Sequence, residues 1–250
     1  MIIQLQHPSG KNVSADFKKP IDIAIPLVAG PGRVRAWYVD PIRMEPVRNG
    51  DWIGEVKQGG SVNFRNIFFN PHGHGTHTEC VGHISTEIYS VNQHIKQYFY
   101  FAQLITIAPE KSGEDFIITK SQIESVLLKD VQALILRTAP NTEEKLTHGY
   151  SNTNPAYLEE QAAAFLCQKN VKHLLLDLPS VDRENDGGKL RSHHAFWNFP
   201  QATRFDASIT EMIYVPDEIC DGEYLLDLQF APFENDASPS RPVLYALNGL

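Results

Sequence analysis

The segment NPHGHGTHTECVGH, residues 70–83, concentrates side chains that could bind a metal ion and move a proton. The chain has ten histidines, and four of them fall between residues 72 and 83, together with Glu79. Neutral imidazoles and an ionised carboxylate that converge on one point form a donor set that suits Zn²⁺ or Mn²⁺. The segment lacks the His-Glu-X-X-His spacing of helical zinc proteases, and its glycines argue against a helix. We therefore expect a metal site built from a strand and a loop.

Alternation along an extended backbone decides which of these side chains share a face. His77 and Glu79 are two residues apart, so they project to the same side of a strand. His83 has the same parity but lies four residues further on. His72 and His74 have the opposite parity, and the glycines of the segment would have to supply a bulge or a sharp turn to redirect one of them. Which of the two turns into the site stays open.

Two other interpretations compete with a metal site. Histidines in a glycine-rich loop can be ordinary polar loop residues, and a histidine-rich tract alone is only a weak indication of a metal site. Cys80 could act as a nucleophile with a histidine as its base, although a free cysteine beside a strand is most often a small core residue. The density of histidines and the neighbouring Glu79 favour the metal site.

The rest of the chain indicates the elements that would position this segment. Strands are predicted over residues 20–27, 61–70, 100–108, 131–138, 171–182, 207–215 and 224–233. Ser121 and Glu124 form a capping-box pattern that opens a helix over residues 121–129. Asn154 and Pro155 supply an N-cap and a first-turn proline for a helix through about Lys169. Alternating strands and helices predict a layered sheet with crossover helices.

Composition excludes several classes of partner. The 30 acidic against 22 basic residues give a net charge of −8, which disfavours a nucleic-acid partner. The sequence contains no apolar run of the length that crosses a bilayer, and its N-terminus lacks the apolar core of a signal peptide. Three cysteines far apart do not suggest a disulfide framework. These features predict a soluble cytoplasmic protein without a membrane partner.

In its motifs the sequence resembles the cyclase family of metal-dependent hydrolases, which includes bacterial kynurenine formamidase and isatin hydrolase. The motif of that family runs His-X-Gly-Thr-His-X-Asp-X-Pro-X-His. Residues 75–77 and His83 match it in register, and Glu79 stands at the aspartate position. The first motif histidine falls on Gly73, with a histidine on either side, and Val81 replaces the proline.

Four further blocks resemble the family in the same order along the chain. They are DLPSVD (177–182), SHHAFW (192–197), ITEMIYV (209–215) and NDASPSRPVLY (235–245). The resemblance implies an α/β fold of the swivelling β/β/α type, in which residues 1–250 form one layered domain with a mixed sheet and crossover helices.

The resemblance also implies a set of metal ligands. By position these are His72, His77, Glu79, His193 and Glu211. Glu79 would stand for the aspartate that bridges two ions, and His72 would replace the motif histidine that is missing at position 73. His193 fits better than His194, because its spacing to the aromatic residues that follow reproduces the family pattern. The ligands would hold one or two ions of zinc or manganese.

The activity that the resemblance implies is hydrolysis of an amide or cyclic amide C–N bond in a small molecule, as in an arylformamidase. A metal-activated water would attack the carbonyl, and His83 would transfer the proton. Two alternatives remain: a lyase or cyclase on the same scaffold, and a binding protein of this fold without metal. The family also points to a homodimer or homotetramer.

Some other residues have a functional and a structural interpretation. Asp177 and Asp182 end a strand, where carboxylates serve sites but also hydrogen-bond turns. Trp37 and Tyr38 could cover a flat ligand, although simple packing is the preferred interpretation. The aromatic run at residues 196–199 is more often core than substrate pocket.

Overall fold

One mixed β-sheet includes strands from both ends of the chain, in a computed structural model that describes residues 1–128 and 131–249. The strands of this part of the chain are β1 (Ile2–Gln6), β2 (Asn12–Asp16), β3 (Ile21–Asp22), β4 (Arg43–Pro46), β5 (Arg48–Asn49), β6 (Trp52–Ile53), β7 (Arg65–Phe68), β8 (His77–Glu79), β9 (Phe99–Ile107), β10 (Glu110–Ser112), β11 (Asp115–Ile118), β12 (Ala133–Thr138), β13 (Tyr157–Leu158), β14 (His173–Leu176), β15 (Ser208–Glu211), β16 (Gly222–Phe230) and β17 (Ala237–Asn248). Its α-helices are α1 (Val91–His94), α2 (Lys120–Glu124), α3 (Glu160–Gln168) and α4 (Arg191–Trp197), and short 3₁₀ helices span Val56–Gln58, Val81–Ile84 and Glu143–Leu146.

The strand order of the main sheet explains why β8 is rigid. The order is β1-β2-β17-β16-β9-β12-β14-β15-β8, and β3 also pairs with β17. Strands β9, β12, β14 and β15 run parallel, whereas β16 and β17 pair antiparallel with their neighbours. β8 pairs antiparallel with both β15 and β17, so the order closes into a ring. The strand that carries His77 and Glu79 is therefore hydrogen-bonded on both edges.

The connections between the parallel strands contain α2, α3 and α4, which pack on one face of the sheet. Leu134 and Leu136 lie in a core cluster with Phe196 and Trp197 of α4, whereas Ile135 packs into a second cluster on the opposite face. Successive strand residues point to opposite faces, so a strand buried on both faces is apolar throughout. The mixed sheet with crossover helices confirms the predicted α/β fold class.

The start of α2 differs from the sequence prediction. Thr119, and not Ser121, is the N-cap: its hydroxyl accepts the N–H of Gln122 at 3.3 Å, and the Gln122 side chain accepts the N–H of Thr119 at 2.9 Å. The capping box thus begins two residues earlier than the pattern predicts, and α2 ends at Glu124. Lys129, the predicted last residue of this helix, lies outside the described residues.

The predicted start of α3 is wrong by a larger margin. Asn154 has a left-handed φ of 46° and its amide donates to Asp115, so it belongs to a turn before β13. The helix begins only at Glu160, with Glu159 as its N-cap residue. The local proline signal is outweighed here because β13 pairs with β11 and holds the chain extended.

The first third of the chain contains less regular structure than the sequence predicts. The strand expected over residues 20–27 is reduced to β3 and one isolated bridge at Ala24. The strand expected over residues 61–70 becomes β7, which pairs with β4 and is exposed along its whole length. Within the described part of the chain, each helix is too short or too polar to cross a membrane.

His173 gives the fold a pH-dependent element outside the histidine cluster, on a strand that β15 separates from β8. Its ring is buried at the start of β14, where Nδ1 shares a 2.8 Å hydrogen bond with Ser208 and the ring contacts Tyr100. Burial lowers the pKa of His173 from 6.5 to about 3. The unfolded chain therefore binds this proton below about pH 6.5, whereas the folded chain binds it only near pH 3.

We expect this histidine to destabilise the fold as the pH falls from 6.5 towards 3, and to contribute its full stability above pH 6.5. At pH 5 the loss is about 2 kcal/mol. Urea unfolding of the wild type and of His173→Asn at pH 7 and pH 5 measures it. The variant should lose less stability between the two pH values than the wild type, and parallel losses in the two proteins would contradict this assignment.

Candidate metal centre

The structure brings the residues selected from the sequence into one cluster. They are His72, His77, Glu79, His83, His193 and Glu211. Glu79 lies at the centre, with its Oε1 3.2 Å from His193 Nε2 and its Oε2 3.1 Å from His72 Nδ1. His83 Nδ1 lies 3.8 Å from Glu79 Oε2. Segments more than a hundred residues apart therefore converge on one carboxylate.

The register of β8 explains how His77 and Glu211 meet. The two residues face each other across the β15–β8 pair, and His77 Nε2 lies 3.4 Å from Glu211 Oε2. Thr76 fixes the start of β8, because its hydroxyl accepts the N–H of Ile25 at 2.7 Å and donates to the carbonyl of Met212 at 2.6 Å. The threonine of the motif thus joins three segments, which places the histidine after it.

The structure places His72, and not His74, in the cluster. His74 turns away: its ring hydrogen-bonds the backbone of Asn70, and its Nε2 lies 2.8 Å from the carbonyl of Asp40. A side chain at position 73 would crowd Val39, because a Cβ on Gly73 would lie 2.7 Å from Val39 Cγ2. The imidazole that reaches Glu79 from this side is therefore that of the residue before the glycine.

Asp182 holds His193 in the cluster, while His194 lies outside it. Asp182 Oδ2 accepts from His193 Nδ1 at 2.6 Å, and its two oxygens also accept the N–H groups of Ser192 and His193. His194 instead shares a hydrogen bond with the carbonyl of Phe199. Of the two strand-end carboxylates, Asp182 belongs to the site, whereas Asp177 is buried against Lys145 and Thr138.

Asp236 is a site residue that sequence reasoning missed. Its Oδ2 lies 2.8 Å from His72 Nε2 and 3.5 Å from His83 Nδ1. The residue directly precedes β17, whose first residue, Ala237, pairs with Glu79 of β8. In the sequence, the signal for Asp236 is its position within residues 235–245, the last of the four further blocks that resemble the family.

The electrostatics of the cluster favour positive charge. Burial alone raises the pKa of Glu79, but the surrounding histidines, His83 foremost, hold it well below its usual range. Burial lowers the pKa of His193, yet Asp182 and Glu79 outweigh this and raise it to about 10. His72 behaves in the same way beside Asp236 and Glu79, with a pKa of about 10. The carboxylates of the cluster are therefore stabilised by positive charge, which bound protons or a metal ion can supply.

The donor atoms fit a divalent metal ion. In the described part of the chain, His77 Nε2 and Glu79 Oε2 are buried and have no partner in hydrogen-bonding geometry, although His72 Nδ1 lies 3.1 Å from Glu79 Oε2 and Glu211 Oε2 lies 3.4 Å from His77 Nε2. Buried polar atoms are almost always satisfied, so two adjacent exceptions need a partner. The ligand atoms of His72, His77 and Glu79 lie within 4.8 Å of one another, as do those of Glu79, His83 and His193. Imidazole nitrogens with a carboxylate oxygen suit zinc or manganese.

Cys80 is poorly placed to be a nucleophile. Its side chain is fully buried beside Val91 and Ile95, and Sγ lies 3.5 Å from the carbonyl of Tyr89. Burial raises the pKa of Cys80 to about 12, so the reactive thiolate is suppressed. The geometry supports the core interpretation of this residue.

A cavity of about 340 Å³ opens onto the cluster. Its walls include Trp37 and Val39 as well as His72, His83 and His193. Trp37 borders the cavity and also packs against the core cluster that contains Val34, so both interpretations of this residue hold, whereas Phe196 and Trp197 are fully buried in the core, as preferred. Tyr38 is exposed and its hydroxyl donates to Glu184 at 2.9 Å.

The chain belongs to the cyclase family. The family model described as putative cyclase matches residues 12–183. The kynurenine formamidase of Bacillus mycoides is 31% identical over 193 residues, which cover 75% of this chain and 82% of the relative. That of Bacillus cereus is 30% identical over 230 residues, which cover 90% and 96%. The family predicted from the motifs is confirmed.

Solved structures share the fold at lower identity. A potential metal-dependent hydrolase with cyclase activity has a TM-score of 0.65 and 18% identity, and covers 91% of this chain and 98% of its own. Isatin hydrolase A from Labrenzia aggregata has a TM-score of 0.64 and 15% identity, with coverage of 91% and 93%. These likenesses support the fold assignment.

We expect Gly82→Ala to destabilise the protein strongly. A Cβ at this position would lie 2.2 Å from the backbone carbonyl of Tyr89, which cannot swing away as a flexible side chain can. The cost of such overpacking is about 1–3 kcal/mol. Gly149→Ala is the matched control, because its Cβ would meet no atom within 4 Å. Urea unfolding tests this, and equal stability of the two variants would show that the backbone at Gly82 relaxes freely.

Proposed function

We propose that this protein is a metal-dependent hydrolase that cleaves an amide or cyclic amide C–N bond in a small molecule, as a kynurenine formamidase does. The observation that carries the proposal is the convergence of buried imidazole and carboxylate groups in a cluster that borders a cavity, where His77 Nε2 and Glu79 Oε2 have no partner in hydrogen-bonding geometry among the described residues. The family and the names of its relatives, kynurenine formamidase and isatin hydrolase, support the hydrolase class.

The cluster offers two overlapping sets of ligands. His72, His77 and Glu79 would hold one ion, and Glu79, His193 and Glu211 would hold a second, with Glu79 shared. Bound there, Zn²⁺ or Mn²⁺ lowers the pKa of water and polarises a carbonyl oxygen. The backbone N–H of Val181 donates to Glu211 Oε1 at 3.2 Å, which directs the other oxygen towards His77.

His83 is the residue that we assign to proton transfer. Its side chain is 30% exposed and lines the cavity, so it can meet a substrate, unlike His77, which is fully buried. Asp236 and Glu79 lie 3.5 and 3.8 Å from its Nδ1 and would stabilise the imidazolium after it accepts a proton. The ring can then return this proton to the leaving nitrogen.

The cavity supports a substrate of modest size with a flat ring. Its volume of about 340 Å³ lies at the lower end of the range for small-molecule sites. Trp37 supplies an aromatic wall on the side opposite the strand residues, and Leu190 adds apolar surface. Formyl-anilides and isatin-like lactams carry both a flat ring and a C–N bond to a carbonyl.

The first test combines metal content with activity. Protein purified without added metal, and then loaded with Zn²⁺ or Mn²⁺, is assayed on formyl-anilides, isatin-like lactams and enol-lactones. We expect stoichiometric metal, and turnover of an amide or lactam that a chelator abolishes. His77→Ala should lose metal, whereas His83→Ala should keep it and lose about 10²–10⁴-fold in turnover.

His194→Ala is the matched control for these variants, because it removes a histidine adjacent to His193 that lies outside the cluster. It should keep both metal and turnover. Absence of metal from the wild type would favour the alternative of a metal-free binding protein. Turnover of the enol-lactone alone would argue against a C–N bond as the bond that the protein cleaves. Loss of metal in His83→Ala with full occupancy in His77→Ala would reverse the two roles.

We also propose a homodimer or homotetramer. The antiparallel pair of β4 and β7 leaves large apolar side chains exposed, Ile67 and Phe68 on β7 and Phe64 directly before it. Exposed apolar surface of this kind is typical of a protein interface. A cytoplasmic location agrees with the three cysteines, which are all free.

Sedimentation should therefore give two or four times the mass of one chain. Ile67→Glu would place a charge among these exposed apolar side chains, so it should shift the protein towards monomers. Ile88→Glu is the control, because this residue is 92% exposed and lies outside β4 and β7. A wild type that sediments as a monomer at micromolar concentration would remove the proposal.

A further inference from the structure

We propose that Asp236 is a positioning residue that holds His72 in the orientation in which its Nδ1 can bind metal. The proposal rests on the metal-dependent function argued above and extends it to a residue outside the family motif. Asp236 acts through the histidine and does not itself bind the ion.

The geometry of the His72 ring carries this inference. The ring lies between two carboxylates, with Nε2 2.8 Å from Asp236 Oδ2 and Nδ1 3.1 Å from Glu79 Oε2. The Asp236 carboxylate accepts from Nε2–H, so Nδ1, the nitrogen beside the buried Glu79, is the one that would give up its proton to bind a metal ion. Metal-binding histidines commonly donate their other N–H to a carboxylate in this way, which fixes the tautomer and the orientation of the ring.

His72 has particular need of such support. It belongs to a loop before β8, and the position at which the family has its histidine is filled by Gly73, which packs against Val39. The His72 side chain is 20% exposed, whereas His77 and Glu79 are fully buried. Without a partner at Nε2, the ring could rotate away from Glu79 into the cavity that it lines.

Asp236, in contrast, stands on fixed backbone. Its carbonyl accepts the N–H of Cys80 at 2.9 Å, directly after β8. The next residue, Ala237, is fully buried and begins β17 opposite Glu79. The carboxylate is therefore anchored to the same strand that carries Glu79, so the two groups that hold His72 keep a constant separation.

A second residue in the site already has this role. Asp182 accepts from His193 Nδ1 at 2.6 Å, while His193 Nε2 lies 3.2 Å from Glu79 Oε1. Each oxygen of Glu79 thus faces a histidine, and each of these histidines has a carboxylate behind it. His72 differs from His193 in that its Nδ1, and not its Nε2, lies next to Glu79. Its ring comes from the loop before β8, whereas the ring of His193 comes from α4.

The alternative is that Asp236 is itself a ligand, since its carboxylate and the rings of His72 and His83 lie within 4.8 Å of one another. A double-mutant cycle separates the two roles. Zn²⁺ affinity is measured by competition with a chelating dye for the wild type, Asp236→Asn, His72→Ala and the double variant. If Asp236 acts only through His72, then Asp236→Asn should have little further effect on Zn²⁺ affinity once His72 has been removed.

We expect Asp236→Asn to weaken Zn²⁺ binding by about 10–100-fold. In the His72→Ala background the same substitution should change the affinity by less than about threefold. Glu234→Gln is the matched control, because it removes a carboxylate from the same loop that hydrogen-bonds Asn92 and Gln93 and not the histidines of the cluster, and it should bind Zn²⁺ like the wild type. Circular dichroism monitors folding, and Asp236→Ser repeats the cycle if Asp236→Asn does not fold.

Wild-type affinity in Asp236→Asn would overturn the proposal and leave the metal-dependent function intact. An equal loss in both backgrounds would also overturn it, because Asp236 would then be a ligand in its own right. A wild type that binds no Zn²⁺ would overturn both the positioning role and the proposed function.

Discussion

The buried carboxylate of Glu79 is the group on which the architecture of the site depends. It lies on a strand with both edges hydrogen-bonded and has no exposed surface. Burying an unpaired charge costs several kcal/mol, so the fold must surround it with positive or donor groups. His72 and His83 from the loops flanking β8, and His193 from α4, supply them. The need to stabilise the charge of Glu79 thus explains why the histidines of these three elements meet at one point.

The ring of strands keeps these groups in place. β8 lies between the carboxyl end of β15 and the start of β17, so Glu211 and Asp236 reach the site from opposite edges of the same strand. Ligands in α/β folds commonly bind at the carboxyl ends of parallel strands, where Asp182 and Glu211 also lie. Close backbone approach at Gly82 then sets where the chain turns after β8 and thereby where His83 stands.

The sequence predicted the fold class and the principal residues of the cluster, because strands buried on both faces and a dense histidine motif leave strong local signals. It could not choose between His72 and His74, since His74 is held outside the cluster by the carbonyl of Asp40, which lies 34 residues earlier in the chain. It missed Asp236 for a similar reason: the contact with His72 spans 164 residues. The start of α3 was misplaced because pairing of β13 overrides the local cap and proline.

Two of the three departures from the family motif, those at positions 73 and 79, are neighbours in space. The glutamate at position 79 is one methylene longer than the aspartate of the family, and the first histidine is displaced from position 73 to position 72. The side chains of Glu79 and His72 approach each other to 3.1 Å. A longer carboxylate reaches further from β8, and a histidine from the preceding residue approaches from a different point of the loop. The longer side chain and the displaced histidine thus meet each other, so the two changes act on one and the same contact of the cluster.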